Sequence, residues 1–137
     1  MRSLARKTAT IGATLALAVS GAVLVASPAS AATSCYASSC TGKDPATTTC
    51  ANDAITVSTN GDLELRYSPS CRAAWARDRN AVPGESVGIQ NHPGQESDYS
   101  TFTSSGGAIW SMMDNDKDIQ SQASSAGSKG FYRTGWY

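Results

Sequence analysis

The fold is decided by the stretch AITVSTNGDLELRYS, which occupies residues 54–68. Apolar and polar side chains alternate on both sides of Asn60-Gly61 within this stretch. Such an alternation around an Asn-Gly pair is typical of two antiparallel strands that are joined by a tight turn. We therefore predict a β-hairpin here, with one apolar face and one polar face.

The register of this hairpin depends on the length of its loop. A two-residue Asn-Gly loop pairs Val57 with Glu64, which puts an apolar and a charged side chain on the same face. A loop of three or five residues instead pairs Val57 with Leu65. It also pairs Ile55 with Tyr67. Because a slip of one residue inverts the faces of a strand, the pattern favours the longer loop.

Beyond the hairpin, a strand and a helix compete for Ser70–Arg79. In a helix, Ser68 caps the first turn, Pro69 occupies it, and the alanines that follow supply helix propensity. In a strand, the odd-numbered apolar face of the hairpin continues beyond Pro69. The proline bends or interrupts the strand at that point. The alternation favours the strand, and the helix is the alternative. The apolar face predicted in this way contains Leu63, Leu65, Tyr67, Cys71, Ala73 and Trp75.

The rest of the chain is predicted to form short strands that are separated by turns. Val87 and Ile89 alternate with polar residues, whereas Ile119–Gly127 is polar and fits either a short helix or a loop. Short strands at this spacing are typical of a small antiparallel barrel or sandwich, so the predicted fold class is mainly β. The other predicted strands are Tyr99–Thr103, Ala108–Met113 and Phe131–Tyr137, and the predicted turns are Ala81–Gly84, Asn91–Gly94 and Asp114–Asp118.

Residues 1–31 have the three parts of a secretory signal peptide. Three basic side chains precede the apolar run Ile11–Val25, and small residues with an Ala-x-Ala ending close the segment at Ala31. Cleavage after Ala31 removes three of the 11 basic side chains and none of the 11 acidic ones. We therefore predict a secreted, extracellular protein that is mildly acidic when mature.

The mature chain, residues 32–137, has a common size for one domain. It contains no basic block, which argues against a nucleic-acid binder. No later apolar run approaches the roughly 18 residues that a membrane span needs, so no membrane span is predicted.

The four cysteines of the chain are Cys35, Cys40, Cys50 and Cys71. In a small exported domain with few large apolar residues, an even number of cysteines implies two disulfides. The sequence does not choose among the three connectivities that four cysteines allow. A zinc site is the competing interpretation, but Cys-x4-Cys is a poor ligand spacing and the compartment is oxidising. We predict a stapled, irregular N-terminal arm over residues 32–53 and a β domain over residues 54–137.

The sequence contains only weak signals for catalysis or metal binding. His92 is the only histidine, lies in a predicted turn, and is not matched by a Gly-x-Ser-x-Gly nucleophile motif. A carboxylate pair such as Glu64 and Asp98 could cleave glycosides, but Glu64 is predicted to be solvated. Asp114–Asp118 begins like a Ca²⁺ loop without its later Gly and Glu, which favours an Asp-rich turn. We predict no enzyme, no cofactor and no metal.

The aromatic side chains carry the prediction of a binding surface. On alternation, Tyr67 and Trp75 belong to the core. The last strand cannot bury all of its aromatic residues on one face, so some of them must be exposed. Exposed Trp and Tyr are the usual anchors of recognition surfaces. The predicted partner-binding residues are Tyr36, Trp110, Trp136 and Tyr137.

Three stretches also resemble the YjfA family of small exported bacterial proteins: CTGKDP at residues 40–45, CA at 50–51 and LELRYSPSCRAAWAR at 63–77. The resemblance implies a β-rich, disulfide-bearing extracellular domain, and it supplies no catalytic residues. Some members of this family resemble adaptor subunits of secreted antibacterial toxin particles, in which an extended N-terminal segment engages the toxin chain. The segment of this chain in the equivalent place is Ala32–Ser39.

Together these observations predict a secreted, non-enzymatic protein-binding module that serves as an adaptor subunit of an extracellular toxin complex. An extracellular protein is then the expected partner. One alternative is an inhibitor of secreted hydrolases that presents the rigid turns at Ala81–Gly84 and Asn91–Gly94. Another is a protein that binds envelope carbohydrate through its terminal aromatic residues.

Overall fold

A computed structural model of the chain describes residues 35–92, 97–101 and 107–137, with the backbone alone described for 97–101. The predicted signal peptide and part of the predicted turn at Asn91–Gly94 lie outside these residues. No helix in the described ranges is long and apolar enough to cross a membrane.

Two antiparallel sheets form the described part of the chain, which confirms the prediction of a mainly β fold. The first sheet has the strand order β1-β2-β3-β6, and β7 pairs with β3 beyond this path. The second sheet has the order β5-β4-β8-β9. No strand of one described sheet pairs through backbone hydrogen bonds with a strand of the other, so the arrangement is an open sandwich and not a closed barrel. The strands are β1 (Ile55–Asn60), β2 (Leu63–Ser68), β3 (Ala73–Ala81), β4 (Ser86–His92), β5 (Ser97–Thr101), β6 (Gly107–Trp110), β7 (Asp114–Asn115), β8 (Gln120–Gly127) and β9 (Gly130–Arg133).

The hairpin of β1 and β2 is present, but its loop is shorter than predicted. Asn60 pairs with Leu63, which leaves Gly61 and Asp62 as a two-residue loop. Gly61 has a φ of +61° and Asp62 does not have a positive φ, as in a type II′ turn. This turn twists with the flanking strands, which is why glycine is needed at its first position.

A β-bulge in β1 then corrects the register. Ser58 lies opposite Leu65, so the predicted pairing of Val57 with Leu65 is wrong. The register shifts between Thr56 and Ser58, and the predicted pair of Ile55 with Tyr67 is restored beyond the shift. The extra residue allows a short loop and a continuous apolar face in the same hairpin.

Ser70–Arg79 contributes to a strand and not to a helix, because β3 runs from Ala73 to Ala81. The predicted odd-numbered face, however, is wrong beyond Tyr67. Leu65 lies opposite Ala76, so odd residues of β2 share a face with even residues of β3. The even number of residues in the turn between the strands causes this exchange. Cys71, Ala73 and Trp75 consequently lie on the opposite face of the first sheet.

Two apolar clusters result, one on each face of the first sheet. The interior cluster lies between the sheets and consists of Leu63, Leu65, Ala74, Ala76, Ala81, Val87, Ile89, Ile109 and Ala123. The arm cluster lies between the first sheet and the arm residues, and it consists of Cys40, Cys50, Cys71, Ala73, Trp75 and Met113. The two aromatic residues that were predicted to share one core are thus separated, since Tyr67 packs against the interior cluster and Trp75 belongs to the arm cluster.

The arm is held by short 3₁₀ helices and by both disulfides. The helices are Ala37–Cys40, Pro45–Thr47 and Thr49–Asn52. The disulfides join Cys35 to Cys40 and Cys50 to Cys71, which confirms the prediction of two bridges and settles their pairing. Sγ of Cys35 lies 3.5 Å from Sγ of Cys50, so the two bridges pack against each other.

The prediction of a short helix or a loop for residues 119–127 is wrong. Gln120–Gly127 forms β8, a strand in the middle of the second sheet, and not a helix or a loop. Its small polar residues are buried, and Ser121 is fully so. The Ser121 hydroxyl donates a 2.6 Å hydrogen bond to Asp116. Such local partners let serines occupy a buried strand whose composition resembles that of a loop.

Several predicted boundaries also change. Asn91 and His92 end β4 and are not part of a turn. Asp114 and Asn115 form β7 against β3, so the Asp-rich segment is not a simple turn. The last aromatic strand is β9, which is shorter than predicted, and the residues after it continue beside β8 through backbone hydrogen bonds between Tyr137 and Ser121.

Candidate functional site

All four aromatic residues predicted to bind a partner are exposed. The exposed fraction is 51% for Tyr36, 38% for Trp110, 40% for Trp136 and 49% for Tyr137. The fold does not gather them in one place. Tyr137 lines one cavity and Trp110 lines a different one on the outside of the first sheet, whereas Tyr36 and Trp136 line neither.

The first cavity, which we call the end cleft, has a volume of about 320 Å³. Tyr137 packs against Tyr67 there, with ring centroids 5.6 Å apart, and its backbone is tied to Ser121. The ring contact with Tyr67 and the backbone hydrogen bonds to Ser121 therefore fix the position of the Tyr137 ring. The lining residues are Tyr67, Arg72, Asp116, Asp118, Ile119, Gln120 and Tyr137.

Tyr36 and Trp136 do not line the end cleft, and each of them contacts one charged or aromatic neighbour. The Nζ atom of Lys117 lies 5.7 Å from the centroid of the Tyr36 ring, a cation–π contact. Trp136 meets the ring of His92 edge-on at 5.6 Å. These two predicted residues are therefore exposed without lining either cavity.

Three titratable groups that line the end cleft have shifted pKa values. Burial raises the pKa of Asp116 to about 6, although its hydrogen bond from Ser121 and the charge of Arg72 both favour the ionised form. Burial likewise raises the pKa of Tyr67. Arg72 donates a 2.7 Å hydrogen bond to Asp118, and this bond is the main reason that its pKa is raised.

The protonation of Asp116 predicts a change of stability with pH. Its pKa is raised in the folded chain, so the stabilising contribution is complete below its unfolded value, near 3.8, and is lost as the pH rises through about 6. Asp116→Asn removes this titration. We expect the free energy of unfolding of the variant to gain about 2 kcal/mol relative to the unsubstituted protein between pH 4 and pH 7, measured by urea denaturation.

Asn115→Ser is the matched control for this measurement. It changes a neighbouring side chain and introduces no titratable group, so its difference from the unsubstituted protein is constant with pH. If the curves for Asp116→Asn and the unsubstituted protein run parallel from pH 4 to pH 7, the assignment of the titration to Asp116 is wrong.

The second cavity, which we call the face groove, has a volume of about 200 Å³. Trp75 is 4% exposed and forms its floor, whereas Trp110 stands at its rim. The groove runs between the arm and the outer face of the first sheet. Its lining residues are Pro45, Ala46, Ala51, Arg66, Trp75, Arg77 and Trp110.

One carboxylate fixes the arm side of the face groove. Oδ1 of Asp44 accepts a 2.9 Å hydrogen bond from the backbone N–H of Ala46, which caps the 3₁₀ helix that begins at Pro45. The same oxygen accepts a 2.9 Å hydrogen bond from the indole N–H of Trp110. The rim of the groove is therefore joined to the arm through a single acidic side chain.

Two arginines of the first sheet complete the wall. Arg66 lies directly opposite Trp75 on the neighbouring strand, and Arg77 lies directly opposite Trp110. Directly opposed residues in antiparallel strands have adjacent side chains on one face. The face groove is thus a cross-strand array of two guanidinium groups and two indole rings.

The two cavities open on opposite faces of the first sheet. Arg66 lines the face groove and the next residue, Tyr67, lines the end cleft. Successive side chains of a strand point to opposite faces of its sheet. The two cavities share no lining residue, so one partner in each of them would not compete for the same side chains.

Of the two carboxylates considered for catalysis, Glu64 is the one whose side chain the structure describes. Glu64 is 6% exposed and accepts hydrogen bonds from Arg77, so the prediction that it is solvated is wrong. The side chain of Asp98 lies outside the described part of the chain. Among the described residues, the four cysteines form a group whose sulfur atoms are close enough to hold a metal ion. All four sulfur atoms are bonded in the two disulfides.

Sequence reasoning missed most of the residues that line the two cavities. The sequence pattern does not single out Arg66 and Arg77, because their positions beside Trp75 and Trp110 depend on strand pairing. The signal that could have found them is the parity of the turn between β2 and β3, since it places Arg66 beside Trp75.

Comparison with known proteins gives one family and no individual relative. A protein-family model described as "Protein of unknown function (DUF2690)" matches residues 38–126. No curated protein and no solved structure matches the chain.

Proposed function

We propose that this chain, which belongs to the DUF2690 family, is a secreted, non-enzymatic adaptor that holds two protein partners. The observation that carries the proposal is the pair of aromatic cavities on opposite faces of the first sheet. An adaptor needs two contact surfaces that can be occupied at the same time. The end cleft and the face groove meet this requirement because they share no lining residue.

The aromatic rims support protein binding because their rings are already in place. Trp110 is held by Asp44, and Tyr137 is held by its backbone bonds to Ser121. Rings that are fixed before binding lose little conformational entropy when a partner packs on them. Exposed, oriented Trp and Tyr side chains are the residues that most often dominate binding energy.

Secretion is part of the proposal and rests on residues 1–31 together with the disulfides. A basic start, an apolar run and an Ala-x-Ala ending form the signal. Two disulfides in a small domain suit an oxidising compartment. The resemblance to the YjfA family adds the finer proposal that the complex is an antibacterial toxin particle.

The capture of partners from culture supernatant tests the adaptor function. The bait proteins are the unsubstituted chain, Trp110→Ala for the face groove and Tyr137→Ala for the end cleft. Truncation of an anchoring aromatic residue costs about 2 kcal/mol or more, which weakens binding roughly 30-fold. We expect each variant to lose one captured protein and to keep the other.

Phe131→Ala is the control for this capture, since Phe131 is 62% exposed and lines neither cavity. It keeps both partners if the cavities are the binding sites. Loss of the same protein by both cavity variants contradicts two independent surfaces. Retention of every captured protein by both variants contradicts the proposal as a whole.

A second candidate function is favoured by the composition of the end cleft. Two tyrosine rings stand beside two carboxylates, an amide and a guanidinium group there, and these groups can donate to and accept from hydroxyl groups. This arrangement supports binding of envelope carbohydrate in the end cleft. Release of the chain from a polysaccharide column by Tyr137→Ala, without loss of a captured protein, would favour this function over the adaptor.

A further inference from the structure

We propose that the face groove binds an apolar side chain and a neighbouring carboxylate of an acidic peptide. The apolar side chain packs against Trp75 and Trp110, and the carboxylate accepts hydrogen bonds from Arg66 and Arg77. This inference rests on the proposed function, because it names the chemistry of the partner that the groove takes.

The volume of the groove limits what can enter it. At about 200 Å³, it is smaller than the roughly 300 Å³ at which cavities for whole small ligands begin. One side chain of a longer peptide fits a space of this size better than a complete small molecule does. Its floor and rim are indole rings, so the side chain that enters is apolar.

Both guanidinium groups are positioned before any ligand arrives. Arg66 donates hydrogen bonds of 2.7 Å to the Thr56 hydroxyl and 2.8 Å to the carbonyl of Ala54. Arg77 donates a 2.7 Å hydrogen bond to Oε2 of the buried Glu64. A guanidinium carries five N–H donors, so each arginine keeps donors for a ligand after these bonds are made. Side chains that are fixed in this way form a preorganised site.

The charge of the wall favours an anion. The two hydrogen bonds of Arg66 within the described residues go to neutral oxygens, and its cationic neighbour in the groove is Arg77. Burial, and then the charge of Arg77, lower the pKa of Arg66, although Glu64 acts in the opposite direction. Glu64 and Asp44 compensate the charge locally, but neither lines the groove. A ligand in the groove therefore meets two cations and apolar surface.

Two capped dipeptides test this chemistry directly. The probes are acetyl-Leu-Glu-amide and acetyl-Leu-Gln-amide, which have nearly the same shape and differ in charge. Binding is measured by NMR from the indole N–H signals of Trp75 and Trp110. We expect the Glu probe to shift these signals with a Kd in the millimolar range, and the Gln probe to bind at least about 10-fold more weakly.

Two variants of the full chain locate the binding. Arg66→Met removes one charge and keeps an apolar stem, and we expect it to weaken binding of the Glu probe about 10-fold. Arg133→Met is the matched control, because Arg133 is exposed on the second sheet and does not line the groove, and it leaves the affinity unchanged. Unchanged dispersion of the indole signals in each variant shows that it is folded.

Equal binding of the two probes overturns the proposal, as does the absence of indole shifts with the Glu probe at about 10 mM. These failures are separate from failure of the adaptor function. If the Glu probe does not bind but Trp110→Ala still loses a captured protein, the chemistry assigned to the groove is wrong and the adaptor stands. If the probe binds and no protein is captured, the adaptor fails and the site stands.

Discussion

Replacement of Lys129 by methionine is expected to lower the free energy of unfolding by about 3 kcal/mol. Lys129 faces two fully buried carboxylates, with its Nζ atom 3.1 Å from Oε2 of Glu85 and 3.8 Å from Oδ2 of Asp78. Methionine keeps most of the apolar stem and removes the positive charge. Both carboxylates then remain in a buried environment without this cation, which is among the costliest changes that a single substitution makes.

The two carboxylates are held where they cannot turn toward water. Asp78 accepts hydrogen bonds from the backbone N–H of Asn80 at 2.8 Å and from the hydroxyl of Tyr132 at 3.0 Å. Glu85 is covered by Gly127, where an added Cβ would lie 2.6 Å from Cγ of Glu85. Burial alone lowers the pKa of Lys129, but the hydrogen bond to Glu85 and the nearby negative charges outweigh it, so the pKa is raised.

Urea denaturation at neutral pH measures this effect, with Lys43→Met as the control. Lys43 is exposed, and its substitution removes the same charge without uncovering a buried carboxylate. We expect the control to change the free energy of unfolding by less than about 0.5 kcal/mol. A loss of less than about 1 kcal/mol for Lys129→Met would show that water compensates the two carboxylates and that the lysine is dispensable.

Removal of the Cys50–Cys71 disulfide is expected to cost about 4 kcal/mol. The bridge closes a loop with a sequence separation of 21, and the restriction of the unfolded chain is worth about 3 kcal/mol at this length. Both sulfur atoms also lie in the arm cluster, where Cys50 is fully buried. The double variant Cys50→Ala with Cys71→Ala loses this packing as well, which adds about 1 kcal/mol.

The other disulfide provides the comparison. Cys35 and Cys40 have a sequence separation of 5, for which the same argument gives about 2 kcal/mol. The double variant Cys35→Ala with Cys40→Ala should therefore unfold at a clearly higher urea concentration than the first variant. Equal losses would mean that the unfolded chain retains structure around Cys50 and Cys71 and that loop length does not decide the stabilisation.

The alternation of apolar residues predicted the strands of the first sheet because one buried face leaves a period of two. It could not predict the side to which the next strand turns. That depends on the number of residues in the turn before Ala73 and on the bulge beside Val57, and neither of them has a marker in the hydrophobic pattern. The same limit hid β8, whose buried Ser121 bonds to the nearby Asp116 and whose Ser124 bonds to Gly88, far along the chain.

The exposed aromatic residues of the candidate site were predictable, but most of the other lining residues and their arrangement were not. The prediction that Tyr36, Trp110 and Tyr137 are exposed is confirmed. The placement of Trp110 and Tyr137 in two different cavities follows from long-range pairing, which no local pattern encodes. The ionic group around Lys129 was not predicted at all, because its members are brought together by the packing of two sheets.

Strand β3 belongs to both apolar clusters, since Ala74 faces the interior and Trp75 faces the arm. An opening of the arm that exposes Trp75 therefore disturbs the strand on which the interior cluster also depends. We expect the two halves to unfold as one cooperative unit, so that the amide hydrogens of β3 exchange with solvent through global unfolding. We therefore expect cleavage by a protease within residues 35–53 to follow global unfolding and not a separate opening of the arm.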